Sequence, residues 1–178
     1  LNSCCVSCSK AASAILSKYL SLVKKTDAAF EQLTQQLQER ERPVIVLLFG
    51  DHQPNSTVAN PVLALSGRRV SVLSEEEENL QYMVPYVMWA NFDLDKTAAS
   101  FASNGAKSEE NSGLLTDNDM SVNYLSGKLL QAADVPLSDY QKFLQDVQAQ
   151  YPVISGWRTY AVPDADATML ESYRKMAY

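Results

Sequence analysis

The sequence has few of the residues that build most active sites. It contains one histidine, His52, and three cysteines, Cys4, Cys5 and Cys8, among 178 residues. Cys5 and Cys8 have the spacing of half a zinc clip, but a structural zinc site needs four ligands and no second Cys/His pair is present. We therefore interpret the thiols as part of an irregular N-terminal segment, residues 1–16, and not as a metal site.

Long apolar runs and clusters of positive charge are also missing. No stretch approaches the ~18 apolar residues that a transmembrane helix needs, and residues 1–16 lack the basic start and apolar core of a signal peptide. The chain has 15 Lys and Arg against 21 Asp and Glu, which gives a net charge of −6. We expect a soluble chain that binds no nucleic acid and no anionic membrane surface.

Residues 44–54, Val-Ile-Val-Leu-Leu-Phe-Gly-Asp-His-Gln-Pro, are the most informative segment. The apolar run that ends at Phe49 predicts a strand buried on both faces of a parallel sheet. Asp51 and His52 follow, at the sheet edge where ligands bind in open α/β folds. Carboxylate and imidazole groups bind zinc, manganese or iron, and histidine can also act as a general base. The alternative is a capped strand end, in which Asp51 accepts backbone N–H groups.

Periodicity elsewhere predicts an α/β domain around this segment. Apolar residues at three- and four-residue steps predict one long helix, roughly 10–41, that Pro43 ends. Residues 84–90 predict a second strand, parallel to the first and close to it, and the polar stretch 103–120 predicts the longest loop. Shorter elements are predicted in chain order: helices at 59–65, after Ser74, at 122–133 and after Ser138, an edge strand at 157–162 and a terminal helix at 169–176, capped by Asp166 or Thr168.

Two amide residues, Gln53 and Asn123, are weaker candidates for lining the cleft beside Asp51 and His52. Asn and Gln at the ends of elements are more often caps than ligand contacts. A serine-nucleophile triad is disfavoured, because no Gly-x-Ser-x-Gly elbow precedes a helix, and the glycines form no phosphate-binding pattern.

Several segments carry a resemblance to a known enzyme family. In chain order they are residues 19–30, 46–54 with its Gly-Asp-His motif, 84–93, 121–125, 136–141 and 151–155. Their sequences and their order resemble the lipoteichoic-acid-synthase-like branch of the alkaline phosphatase and sulfatase superfamily. The resemblance covers residues 17–178 and identifies them as the C-terminal part of a sulfatase-like domain.

The resemblance implies both a fold and an activity. The implied fold is a truncated α/β half with a partial, mostly parallel sheet flanked by helices. The implied enzyme is a metal-dependent phosphoglycerol transferase, or a related phosphodiesterase or sulfatase, at the outer face of a bacterial membrane. Its substrate would be a phosphatidylglycerol-like lipid or another phosphate or sulfate ester. Asp51 and His52 would be two ligands of a divalent ion, typically manganese, that activates a threonine nucleophile.

The departures from the family pattern matter equally. The family's nucleophile lies upstream of the matching segments, and the cysteines here do not form the Cys-x-Pro-Ser-Arg pattern of sulfatases. We therefore expect no catalytic nucleophile in this chain and no activity from the chain alone. A truncated sheet exposes an edge, which favours a homodimer through that edge or through the long helix. The alternative is a non-enzymatic binding or scaffolding module that retains the half-fold.

Overall fold

The computed structural model describes residues 2–65, 73–94, 119–156 and 158–177. They fall into two compact units, Leu1–Asn91 and Phe92–Tyr178. The predicted loop 103–120 lies outside the described residues except at its last two positions. No helix within the described ranges is long and apolar enough to cross a membrane.

The described part of the first unit combines helices with a small sheet. Its elements are α1 (Asn2–Gln38), β1 (Ile45–Phe49), α2 (Ser56–Leu65), α3 (Glu75–Leu80) and β2 (Tyr86–Ala90). Helix α1 contacts α2, and β1 pairs with β2. Helix α3 begins directly after Ser74, where the sequence predicts a helix start. Mixed helices and strands therefore agree with an α/β fold.

Helix α1 begins earlier and ends sooner than the sequence predicts. It starts at Asn2, so the segment 1–16 is helical and not irregular, and the three cysteines lie on a helix. Residues 2–16 contain no glycine or proline and several alanines, so nothing in that segment interrupts a helix. The helix ends at Gln38 and not at residue 41, and the Asn91 side chain donates to the Leu37 and Arg40 carbonyl groups at that end.

The strands β1 and β2 pair antiparallel, so the prediction of a parallel pair is wrong. Ile45 lies opposite Ala90, and Phe49 lies opposite Tyr86. The apolar runs identify both strands, but an apolar run carries no information about strand direction. After β1 the chain passes through α2 and α3 and enters β2 beside the end of β1 that it has just left. The two strands therefore run in opposite directions.

The faces of β1 are also more exposed than predicted. Leu48 and Phe49 are 40% and 46% exposed, although the continuous apolar run predicts burial on both faces. Within the described residues only one strand pairs with β1, and a two-stranded sheet covers its own faces incompletely.

Gly50 permits a close approach at the end of this sheet. Its N–H donates to the Pro85 carbonyl at 3.0 Å. A Cβ atom at position 50 would lie 3.0 Å from the Cβ of Val84, which is tighter than nine in ten real Cβ contacts. Glycine at this position therefore allows the end of β1 to pack closely against the residues that precede β2.

The second unit has its own buried core. Its described elements are a 3₁₀ turn (Val122–Tyr124), helices α4 (Leu125–Ala132), α5 (Asp139–Gln150) and α6 (Ala167–Ala177), and an antiparallel pair, β3 (Val153–Ile154) and β4 (Thr159–Tyr160). The core residues are Tyr124, Leu144, Val147 and Tyr151. Leu144, Val147 and Tyr151 lie on the apolar face predicted for the helix after Ser138, whereas no periodic pattern indicated Tyr124, which lies in the 3₁₀ turn.

Local end signals in this unit are confirmed. The Ser138 hydroxyl accepts from the Gln141 N–H at 3.3 Å, and the Gln141 side chain accepts from the Ser138 N–H, which forms a capping box at the predicted helix start. Helix α5 ends at Gln150, two residues before Pro152. The Asp166 carboxylate accepts from the Thr168 N–H at 2.8 Å, so Asp166 is the cap of α6.

Candidate metal centre

Asp51 and His52 lie directly beyond β1, at the end of the sheet where Phe49 pairs with Tyr86. Their side chains are 84% and 76% exposed. The Asp51 Oδ2 and the His52 Nε2 are 3.6 Å apart. The structure thus brings the two predicted ligands to one exposed point at the strand end.

The two oxygens of the Asp51 carboxylate have different surroundings. Oδ1 accepts from the backbone N–H of His52 at 3.0 Å, which is the contact that the alternative, a capped strand end, predicts. Oδ2 faces the imidazole instead. The turn contact therefore leaves one carboxylate oxygen available for a cation, and the two interpretations of Asp51 are compatible.

The imidazole of His52 is oriented through its other nitrogen. Nδ1 lies 2.7 Å from the backbone carbonyl oxygen of Gln53. A carbonyl can only accept a hydrogen bond, so the neutral ring carries its proton on Nδ1 and keeps a lone pair on Nε2. Metal-bound histidines usually donate their second ring N–H in this way.

The geometry fits part of a metal site. A separation of 3.6 Å lets Nε2 and Oδ2 each lie about 2.1 Å from one cation, the usual distance for these ligands. Protein metal sites generally have three or four protein ligands. Within the described ranges no group of three or more His, Cys, Asp or Glu side chains is placed to hold an ion. Asp51 and His52 therefore fit a divalent cation as two of its ligands.

The other candidates from the sequence are engaged elsewhere. Asn123 belongs to the second unit, where its amide donates to the Tyr173 hydroxyl at 2.7 Å. The amide of Gln53 donates to the backbone carbonyl of Met83. An open groove of about 430 Å³ in the first unit contains neither Asp51 nor His52; it is lined by Thr34, Gln35, Gln38, Glu39 and Trp89.

The sequence did not indicate that a lysine is buried in the second unit. Lys128 on α4 is only 4% exposed, and burial lowers its pKa from 10.5 to about 8. Burial also raises the pKa of the neighbouring core residue Tyr124, and Tyr173 adds to that rise. Lys128 falls between apolar helix positions at Leu125 and Leu129, and no residue pattern there distinguishes it from a surface lysine.

We expect Lys128 to make the second unit more stable as the pH rises from about 8 to about 10.5. Over that interval the unfolded chain keeps a proton on this lysine that the folded chain has lost, so alkaline pH favours the folded state. One pKa unit corresponds to about 1.4 kcal/mol, so the full effect is about 3 kcal/mol. Urea unfolding at several pH values measures it.

The matched variants for this measurement are Lys128→Met and Lys142→Met. Lys142 lies on α5 with a side chain that is 61% exposed, so its loss should leave the pH dependence unchanged. Lys128→Met should remove the rise. An identical pH profile for the two variants would show that Lys128 keeps its proton in the folded chain.

Comparisons with known proteins point to one family. A family model described as Sulfatase matches residues 6–135, a range that includes Asp51 and His52. A curated protein of Rhizobium meliloti (strain 1021), described as a putative cyclic beta-1,2-glucan modification protein, is 29% identical over 82 residues. That alignment covers 43% of this chain and 12% of the relative, so the chain spans a small part of the relative's length. No solved structure matches the chain.

Proposed function

Since the chain belongs to the sulfatase family, we propose that it contributes two metal ligands, Asp51 and His52, to an enzyme that acts on phosphate or sulfate esters. The reaction that we favour is transfer of phosphoglycerol from a phosphatidylglycerol-like donor, with manganese, at the outer face of a bacterial membrane. The bond from phosphorus to the diacylglycerol oxygen would break and diacylglycerol would leave, while a bond from phosphorus to the acceptor oxygen would form. The observation that carries the proposal is the approach of Nε2 and Oδ2 to 3.6 Å at an exposed strand end.

The chemistry of the two ligands suits such a reaction. A divalent cation supplies positive charge that stabilises the transition state of phosphoryl transfer. The carboxylate of Asp51 offsets part of that charge, and its contact with the His52 N–H holds it in place. The high exposure of both side chains leaves room for a substrate ester and for further ligands.

The relative supports a choice of acceptor. It is described as modifying a cyclic glucan. A sugar hydroxyl is a chemically suitable acceptor for a phosphoglycerol group, so we extend the proposal to a carbohydrate acceptor in the cell envelope. The 178-residue chain should itself be inactive, because two ligands are too few for tight manganese binding.

The proposal is tested by comparing this chain with the protein encoded by the full reading frame that contains it. We expect the longer protein to transfer glycerol phosphate from phosphatidylglycerol vesicles to a glucan when manganese is present, and to stop when the metal is chelated. The 178-residue chain should show no transfer. Transfer that persists after chelation would contradict the metal site, and release of sulfate from an aryl sulfate without transfer would replace the proposed substrate class.

A further inference from the structure

We infer that Gln53 is a positioning residue for the His52 imidazole. Its backbone carbonyl accepts a hydrogen bond from Nδ1 of His52. Its side-chain amide donates to the Met83 carbonyl, which ties Gln53 to the residues that precede β2. The inference rests on the proposed role of His52 as a metal ligand, because it concerns which ring nitrogen is offered to the metal.

The carbonyl contact decides which nitrogen is free. Nδ1 lies 2.7 Å from the Gln53 oxygen, whereas Nε2 lies 3.6 Å from the nearer Asp51 oxygen. The second distance is too long for a hydrogen bond, so only the first can select a tautomer. The neutral ring should therefore be protonated on Nδ1, which leaves a lone pair on Nε2, the nitrogen that lies 3.6 Å from the Asp51 Oδ2.

The contact depends on Gln53 because the ring has little else to hold it. The His52 side chain is 76% exposed, so packing does not restrict its rotation. Gln53 is partly buried, and its amide donates to the Met83 carbonyl across 30 positions of sequence. A bond from Gly50 to the carbonyl of Pro85 fastens the other side of the Asp-His pair. Hydrogen bonds on both sides of residues 51–52 therefore attach this pair to the residues that precede β2.

The next residue adds to this restraint. Pro54 disfavours helical backbone at the residue before it, which confines Gln53 to extended conformations and limits the directions that its carbonyl can take. Asn55 lies two residues after Gln53 and has a different role, since its side chain accepts from the Thr57 N–H at 3.1 Å at the start of α2. Asn55 therefore supplies a matched control in the same loop.

The experiment uses the single histidine of the chain. In the metal-free, ¹⁵N-labelled 178-residue chain, the imidazole nitrogen shifts report the tautomer of His52 without overlap from another histidine. In the neutral form of the ring, the wild-type chain should be mainly protonated on Nδ1. Gln53→Ala should reverse the preference to Nε2 protonation, the form that free imidazole side chains favour, and Asn55→Ala should leave the wild-type tautomer unchanged.

A second variant separates the hydrogen bond from the bulk of the side chain. Gln53→Glu keeps the size but places an acceptor against the Met83 carbonyl, so it should reverse the tautomer as Gln53→Ala does. Loss of a group that orients a metal-bound histidine typically costs about 10-fold to 100-fold in metal affinity. Zinc or manganese titration of the longer protein should therefore show a loss in that range for Gln53→Ala.

The outcomes are distinguishable from failure of the proposed function. Mainly Nε2 protonation in the wild-type chain overturns the inference, whether or not the variants fold. Folded Gln53→Ala and Gln53→Glu chains that keep the wild-type tautomer also overturn it. A longer protein that binds no metal, together with the expected tautomers, would reject the metal site and leave the positioning role of Gln53 supported.

Discussion

Alanine in place of Asp51 or His52 should lower the rate of glycerol phosphate transfer by the longer protein, the one proposed to contain this chain, by about 10²-fold or more. Loss of one group that stabilises transition-state charge typically costs that much. Both side chains are more than three-quarters exposed, so neither substitution removes packed surface. The free energy of unfolding should therefore change by less than about 0.5 kcal/mol, as it does for most surface substitutions.

Asp51→Asn gives the sharper test of the carboxylate. The amide keeps an oxygen that can accept from the His52 N–H, so the turn survives, but it lacks the charge that a cation requires. We expect glycerol phosphate transfer to fall as it does for alanine, while Asn55→Ala retains activity. Near-normal turnover in His52→Ala, or unfolding of that variant, would show that His52 is structural and that the motif has been misinterpreted.

The parts of the fold that the sequence predicted are the local ones. The apolar runs that end at Phe49 and Ala90 identify both strands, and the Ser138 and Asp166 caps identify helix starts, because each signal involves residues within a few positions. The adjacency of Asp51 and His52 is predictable for the same reason. Family resemblance, and not the dipeptide alone, makes a metal the favoured interpretation.

The parts that failed depend on contacts between distant residues. Strand direction depends on how α2 and α3 return the chain, and no residue pattern within β1 or β2 encodes that path. The end of helix α1 was also predicted wrongly, since the pattern of α1 continues beyond Gln38 and Asn91, which contacts that end, is 53 positions away. The role of the Gln53 amide requires Met83, which is 30 positions distant.

Asn91→Ala should lower the free energy of unfolding of the first unit by about 3 kcal/mol. No pattern in the sequence indicates that this side chain is important for the structure. Its Oδ1 accepts from the Val44 N–H at 2.8 Å. Its Nδ2 lies 3.0–3.2 Å from three carbonyl oxygens at the end of α1 and in the turn that follows, those of Leu37, Arg40 and Arg42. The two N–H groups of the amide are shared among these three acceptors, so Asn91 makes about three bonds in all, counting the one from Val44. Each bond contributes about 0.5–1.5 kcal/mol, and truncation removes the whole set.

Asn91→Asp tests whether donation to those carbonyl groups carries the effect. A carboxylate can still accept from Val44, but it cannot donate, and its charge faces three carbonyl oxygens. At pH 7 we expect Asn91→Asp to be at least as unstable as Asn91→Ala in urea unfolding. Below about pH 4 the protonated acid can donate one bond, so the Asp variant should then be the more stable of the two. Asn55→Ala, which removes one helix cap, should cost only about 1 kcal/mol. A loss of less than about 0.5 kcal/mol in Asn91→Ala would show that the end of α1 is held to the sheet by other contacts.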